Sequence, residues 1–208
     1  MRSFKFAGTA FLLGALVFFQ AGCLGPGKNP PTRFYVLSSL YSGETAIDPV
    51  ADMADVAIGV GPVEFPKFLD RPQIVTRKSE HRVSVSEFHR WAGSFSEDFL
   101  RVLAKNISML LPADRVVAYP WADHFSPSFR IPLTVEQFDG RFEGDVVLNV
   151  AWSVRRQKDT NEPVIKHTRI KESVSAEDYE ALVAAQSRAI GTLSRAIVDE
   201  IERVSNRG

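Results

Sequence analysis

The chain has 208 residues, one domain's worth with room for an appendage. Its 45% hydrophobic and 24% charged residues match an ordinary globular protein and exclude both a wholly disordered chain and a polytopic membrane protein. Lysine plus arginine and aspartate plus glutamate both number 25, so the chain lacks the basic excess that a nucleic-acid backbone demands of its binders, and no nucleic-acid partner is expected. Fifteen phenylalanines are many for this length, and several sit within the first 20 residues or beside charged ones, a hint of aromatic surface for membrane or protein contacts.

The first element is an address. Arg2 and Lys5 precede an apolar run at 6–19 (FAGTAFLLGALVFF), the layout of a secretory signal peptide. The run is shorter than the about 20 apolar residues of a spanning helix, and Gln20, Ala21 and Gly22 end it. Cys23 follows as the only cysteine of the chain, so no intramolecular disulfide accounts for it. Ala21-Gly22-Cys23 after an apolar run resembles a bacterial lipobox, with Gln20 where an aliphatic residue is usual. That resemblance implies cleavage after residue 22 and a covalent lipid on Cys23. An ordinary cleaved signal leaving a free thiol and an uncleaved anchor are the other readings. One acyl chain holds a protein only marginally, whereas two or more, at about 0.8 kcal/mol per buried CH₂, hold it stably. Leu24 stands where enteric-type lipoproteins carry an aspartate for inner-membrane retention, which favours the outer membrane. Residues 24–32 (LGPGKNPPT) contain two glycines and three prolines and read as a tether, with a reach of at most about 30 Å. Loss of residues 1–22 removes Arg2 and Lys5 and leaves a near-neutral body with two more acidic than basic residues.

The rest reads as one domain, 33–208, of mixed α and β elements. Residues 33–39 (RFYVLSS) and 56–63 (VAIGVGPV) are predicted strands, and 73–77 with 82–88 form a predicted hairpin about a turn at 78–81. Ser94 and Glu97 form a capping box ahead of Phe95, Phe99, Val102, Leu103, Ile107, Leu110 and Leu111, whose offsets fall on one helical face, so a helix is predicted up to Pro112. A short strand at 116–119 and a loop at 121–128 follow. Phe129, Ile131, Leu133 and Val135 alternate with polar neighbours as a strand with one buried face, and Pro132 asks for an edge or a bulge because it donates no ladder hydrogen bond. After a turn at 140–145 the alternation resumes at Val146, Leu148, Val150, Trp152 and Val154. A second turn at 158–163 leads to a strand at 164–174 whose charged outer face reads as solvated. Ser175 is the predicted cap of a helix from about Ala176 to Val204, with Tyr179, Leu182, Val183, Ile190, Leu193, Ile197, Ile201 and Val204 as its stripe. Strand runs separated by two helices predict an α+β fold, a mixed and mostly antiparallel sheet with two amphipathic helices packed on it.

Chemistry is sparse in this pattern. Gly59-Val60-Gly61 lacks the third glycine of a dinucleotide loop, and Pro62 follows. Ser94 lacks the flanking glycines of a nucleophile elbow and is better explained as a cap. His81, His89, His124 and His167 have no metal-ligand spacing. Two blocks are more informative. Asp70-Arg71-Pro72-Gln73 fixes a chain corner just before a strand; it either pairs locally to hold the loop or presents polar groups to a partner. Glu87-Phe88-His89-Arg90-Trp91 interleaves charge with aromatics at a strand end and carries the same two readings.

These blocks, with Gly61-Pro62-Val63 before them and Pro120-Trp121 after, resemble in order and spacing the ABC-type transport auxiliary lipoprotein (PqiC-like) family. The resemblance covers essentially all of the chain after the leader. It implies a non-enzymatic lipoprotein of the Gram-negative envelope, on the periplasmic face of the outer membrane, that works beside an MCE-domain protein and its inner-membrane ABC transport partners in moving lipid between membranes. It implies no cofactor other than the lipid on Cys23, and assembly into a homo-oligomeric ring. Asp70, Arg71, Gln73, Glu87, Arg90 and Trp91 carry over as structural or interface positions, with no catalytic role. The alternative from a different class is a free-standing lipid carrier, which would need a closed apolar cavity of about 300 Å³ or more. A hydrolase would need a clustered nucleophile and base, which the spacing does not reveal.

Overall fold

The structure, a computed structural model, describes residues 30–40, 56–111, 113, 115–157 and 162–206. The signal segment, Cys23, most of the tether and the centre of the 158–163 turn lie outside the described residues. The chain divides into Met1–Pro31 and Thr32–Gly208, and the fold is that of the second unit. In chain order its elements are β1 (Arg33–Tyr35), β2 (Ala57–Glu64), β3 (Gln73–Ser79), β4 (Arg82–Trp91), α1 (Phe95–Leu110), β5 (Arg115–Ala118), β6 (Phe129–Gly140), β7 (Asp145–Trp152), β8 (Arg155–Arg156), β9 (Lys166–Ser173) and α2 (Tyr179–Ser205).

The class is α+β, as expected, but the strands divide between two sheets. Six strands form the larger, in the order β5-β2-β6-β7-β9 with β8 beside β6, and three form the smaller, β1-β4-β3. Pairing is parallel where β2 meets β5 and β6 and where β1 meets β4, and antiparallel elsewhere, so both sheets are mixed. One face of the large sheet, carrying Ile58, Ile131, Leu148 and Val150, is fully buried under the two helices. The predicted stripe of α1 from Phe95 to Leu111 is buried throughout. Ser94 caps α1 as expected, its hydroxyl accepting the Glu97 N–H.

Several predicted boundaries move, each for a local reason. The second helix starts later than Ser175 predicts: Asp178 is the cap, its carboxylate accepting the Ala181 N–H at 2.7 Å. Val174 continues the strand's bonding to Gly144 instead. Likewise β9 begins at Lys166 and leaves Val164 and Ile165 exposed outside the ladder. The first strand stops at Tyr35, because the next amides bond to helix side chains: Leu37 N–H to Asp98, Ser38 N–H to Ser187 and Leu40 N–H to Asn106. Residues 36–40 are therefore a strap across α1 and α2, with Leu37 buried beneath it.

Pro132 lies inside the large sheet, not at its edge, and the bulge alternative accounts for it. Between the pairs Val60–Ile131 and Val63–Leu133 the register slips, leaving Gly61 and Pro62 opposite Pro132, so neither proline owes the ladder a donor there. Gly61 has φ of 113°, and a Cβ at that position would sit 2.7 Å from Tyr119 Cβ, so only glycine fits the slip. A second slip in β6, between Val135 and Gln137, interrupts the predicted alternation, and the strand runs on to Gly140. It also switches parity, so Phe138 joins the core while Gln137 and Asp139 turn to the other face.

That switch makes the joint between the sheets. Asp139 is buried, and Arg77 of β3 grips it with two bonds, Nη2–Oδ2 at 2.5 Å and Nε–Oδ1 at 3.2 Å. Gln137 donates a third at 2.9 Å and is itself held by Asn149, while a further Arg77 N–H donates to the Glu80 carbonyl. The hydrogen bonding to Asp139, against the opposing effect of burial and with the carboxylate's charge adding to it, holds Arg77 above its ordinary pKa. Removing one member leaves an uncompensated buried charge, whereas replacing both by apolar groups can be neutral. Arg77→Met is expected to cost about 3 kcal/mol in urea unfolding, and the double variant Arg77→Met/Asp139→Leu to recover most of it. A single variant within about 1 kcal/mol of wild type would rule out the pair as the joint.

Candidate functional site

The two sequence blocks singled out above meet at one end of the small sheet. The turn at Pro66–Asp70 delivers the chain to Pro72, whose carbonyl accepts the Trp91 N–H at 2.7 Å. Gln73 is then opposite Arg90, and Arg90 is opposite Phe34 of β1. Because neighbours across strands share a face, Gln73, Arg90 and Phe34 form a row on one side of the sheet. Their strand neighbours Tyr35, His89 and Trp91 point to the other side, toward the helices.

Each predicted position has a definite place. The Asp70 carboxylate accepts the Ser96 N–H at 3.4 Å, in the first turn of α1, where the helix dipole favours an anion. Arg71 donates from Nε to Gln73 Oε1 at 3.1 Å, which fixes the side-chain amide at the end of the row. Asp70 and Arg71 thus hold the corner through neighbours rather than through each other. Arg90 is half-buried in mid-row, and its Nε–H has no partner among the described residues. Trp91, 5% exposed, supports the row from beneath by stacking on Phe95 at 4.4 Å. Glu87 is not brought into the row. Between the pairs Gln73–Arg90 and Val75–Val85, Ile74 faces four residues of β4, and Glu87 rides exposed on that bulge, pinned by the His89 N–H on Ser86.

Behind the row is a cluster that the sequence pattern did not single out. His89 stacks on Tyr179 of α2 at 3.9 Å and 15°, the Tyr35 hydroxyl lies 2.7 Å from Nδ1, and Phe142 closes edge-on against Tyr179. Burial, with the charge of Arg33 second, lowers the His89 pKa. The ring is therefore neutral at neutral pH, with Nδ1 sharing a hydrogen bond with the Tyr35 hydroxyl. The signal for this cluster is non-local: Arg33 and His89 are paired only by the fold.

Two open clefts flank the site. One, of about 600 Å³, runs between residues 34–40 and the first turns of α2, with Phe34, Val36, Leu40, Val183 and Ala184 beside Ser38, Ser187, Glu180 and Arg188. The other, about 920 Å³, lies on the outer face of the large sheet and is ringed by charges of both signs, among them Arg77, Arg141, Arg169, Lys171, Glu136 and Asp145. Both are open and mixed in lining, unlike the closed apolar cavity of a carrier. Gly59 serves packing: a Cβ there would meet the Trp121 ring at 2.9 Å. Ser94 Oγ is committed to the helix cap and to Ser96. Among the described residues no three His, Cys, Asp or Glu side chains gather as a metal site, and no helix is long and apolar enough to cross a membrane.

Sequence and fold comparisons agree with this layout. The family model for the ABC-type transport auxiliary lipoprotein component matches residues 35–198, from β1 to the last third of α2. The chain belongs to that family. It is 24% identical over 195 residues to the intermembrane transport lipoprotein PqiC of Escherichia coli K12, covering 93% of this chain and 98% of that one, and equally similar to PqiC of Shigella flexneri. In fold it resembles the crystal structure of an uncharacterized protein, at a TM-score of 0.66 and 20% identity over 83% of this chain and 99% of the other. It also resembles a Xanthomonas campestris protein, at 0.61 and 12% over 80% and 92%. The family's auxiliary lipoproteins are transport components rather than enzymes.

His89 links this site to pH. An unfolded histidine takes its proton near 6.5, whereas folded His89 does so only at lower pH. Between the two the unfolded state holds more protons, so stability is lost as pH falls through and below 6.5. The urea midpoint of the wild type is expected to drop more steeply between about pH 7.5 and 5.5 than that of His89→Gln. Parallel pH profiles would exclude His89 as the source.

Proposed function

We propose that this protein is a periplasm-facing outer-membrane lipoprotein, acylated at Cys23, that serves as a docking and conduit subunit of an MCE-type, ABC-linked intermembrane lipid transport system. The observation that carries the reading is the end-to-end similarity to an intermembrane transport lipoprotein, joined to a family match over residues 35–198. Cys23 supplies the anchor, residues 24–32 set the height of the body, and the body meets the MCE-domain partner. Copies of the chain assemble as a ring around the path of the lipid. The exposed Asp70 and Glu87 and the half-buried Arg71, Gln73 and Arg90 are the surface offered to that partner or to a neighbouring copy, and buried Trp91 keeps the surface in place.

The function asked of such a surface suits its chemistry. Guanidinium groups held beside a sheet form directional bonds to carboxylates of a partner. No step of this role makes or breaks a covalent bond in the lipid.

Affinity capture of a tagged chain from gently solubilised envelopes is expected to recover an MCE-domain protein, and Arg71→Glu/Arg90→Glu to lose it while remaining folded. Cys23→Ser is expected to move the chain from the membrane to the soluble periplasmic fraction. A capture that retains other envelope complexes but no MCE-domain protein would defeat the docking role. Unchanged fractionation of Cys23→Ser would defeat the anchor.

A further inference from the structure

Phe34 and Val36 are 65% and 55% exposed, two large apolar side chains at the edge of a small sheet that nothing among the described residues covers. They stand within four residues of Thr32, where the tether gives way to the body, and exposed Arg33 lies beside them. Alternation places both on the side of the segment away from buried Leu37, and the nearby cleft continues the apolar surface over Val183 and Ala184. Exposed apolar patches of this kind at the edge of a domain bind partners rather than water.

The position of the tether selects the occupant. With Cys23 acylated, residues 24–32 keep Thr32 within about 30 Å of the bilayer, so the surface beside Thr32 experiences a high and permanent local concentration of phospholipid. We infer that the β1 edge, through Phe34 and Val36, is the face by which the body rests on the bilayer that holds its own anchor. Glu180 and Arg188 on the other wall of the cleft carry one charge of each sign, and Arg188 is engaged by Glu172. The polar end of the row at Gln73 is two strand spacings from β1, about 10 Å, with Arg90 between them.

The inference rests on the anchored reading, and the test separates the two. Cys23 is the only cysteine, so once it is acylated an engineered thiol is the only free one. Phe34→Cys, Val36→Cys and Val164→Cys, each made in the lipidated full chain, are labelled with an environment-sensitive fluorophore. They are reconstituted into vesicles of phosphatidylethanolamine and phosphatidylglycerol, with and without brominated lipid. Val164 is a fair control because it is 71% exposed. It also precedes Lys166, which pairs with Glu200, twenty residues and about 30 Å along α2 from the cleft residue Glu180.

The expected result is a blue-shifted emission at 34 and 36 that brominated lipid quenches, with a water-like spectrum at 164. Floating protein whose probes at 34 and 36 remain water-like overturns the inference and leaves the anchor standing. A blue shift that brominated lipid does not quench assigns the patch to a protein contact and overturns it too. Equal quenching at all three positions shows no preferred face, with the same consequence. A chain that does not float with the vesicles removes the anchor and the inference together.

Discussion

Asp139 is a buried carboxylate in a strand that is otherwise core, and the small sheet is positioned by what that carboxylate requires. A lone charge there would be costly to bury, and only a donor with the span and planarity of Arg77, supported by Gln137, offsets it. An apolar contact of the same area could stabilise as well but would leave the two sheets free to slide. The bidentate pair holds at one register, and once β3 is fixed the antiparallel ladder fixes β4 with it. The end of β4 then brings Trp91 onto Phe95 and sets Arg90 between Gln73 and Phe34. The surface row is thus specified by an ion pair on the same hairpin, remote from the row itself.

The entry of the chain into the body follows a different logic. β1 has three residues, too few to resist peeling by themselves, and the load passes to the strap that follows. Three of its amides are held by side chains of both helices, and Arg101 returns a bond to the Leu37 carbonyl while also pairing with Asp98 at 2.5 Å. Leu40 lies against Gly191, where the absence of a side chain lets the strap sit close to α2. A pull at the N-terminal end of the body therefore meets the short β1–β4 pairing first and is then held at the strap by the α1–α2 pair.

Signals confined to a few adjacent residues were legible in the sequence. The Ser94 cap and the stripe from Phe95 to Leu111 define α1, and period-2 alternation defines β7 and the first half of β6. What failed depended on partners far along the chain. Ser175 and Asp178 are both good caps, and the bond from Val174 to Gly144 decides between them. Pro132 asked for an edge or a bulge, and only the pairing with β2 tells which. The slip at Glu136 was visible as Phe138 falling on the wrong parity, and reading it would have placed Asp139 on the outer face. The site was half legible: its polar residues stood out as blocks, whereas Phe34 and His89 join it only through a parallel pairing between segments more than fifty residues apart.

An anchored conduit needs an orientation as well as an address. A tether of nine residues permits excursions of about 30 Å, and α2, at 27 residues, is about 40 Å long, so a body held by the tether alone could present any face to a partner arriving from the opposite membrane. On the proposed reading, contact at the β1 edge removes that freedom at little entropic cost, because the tether holds the edge near the surface. On that reading it also fixes which residues remain available: with β1 against lipid, β4 with Arg90 and the Glu87 bulge is the next strand, and β3 with Gln73 is the farthest from the bilayer. The order of strands in the smallest sheet of the fold, β1-β4-β3, is then the order in which the proposed contacts pass from lipid toward protein.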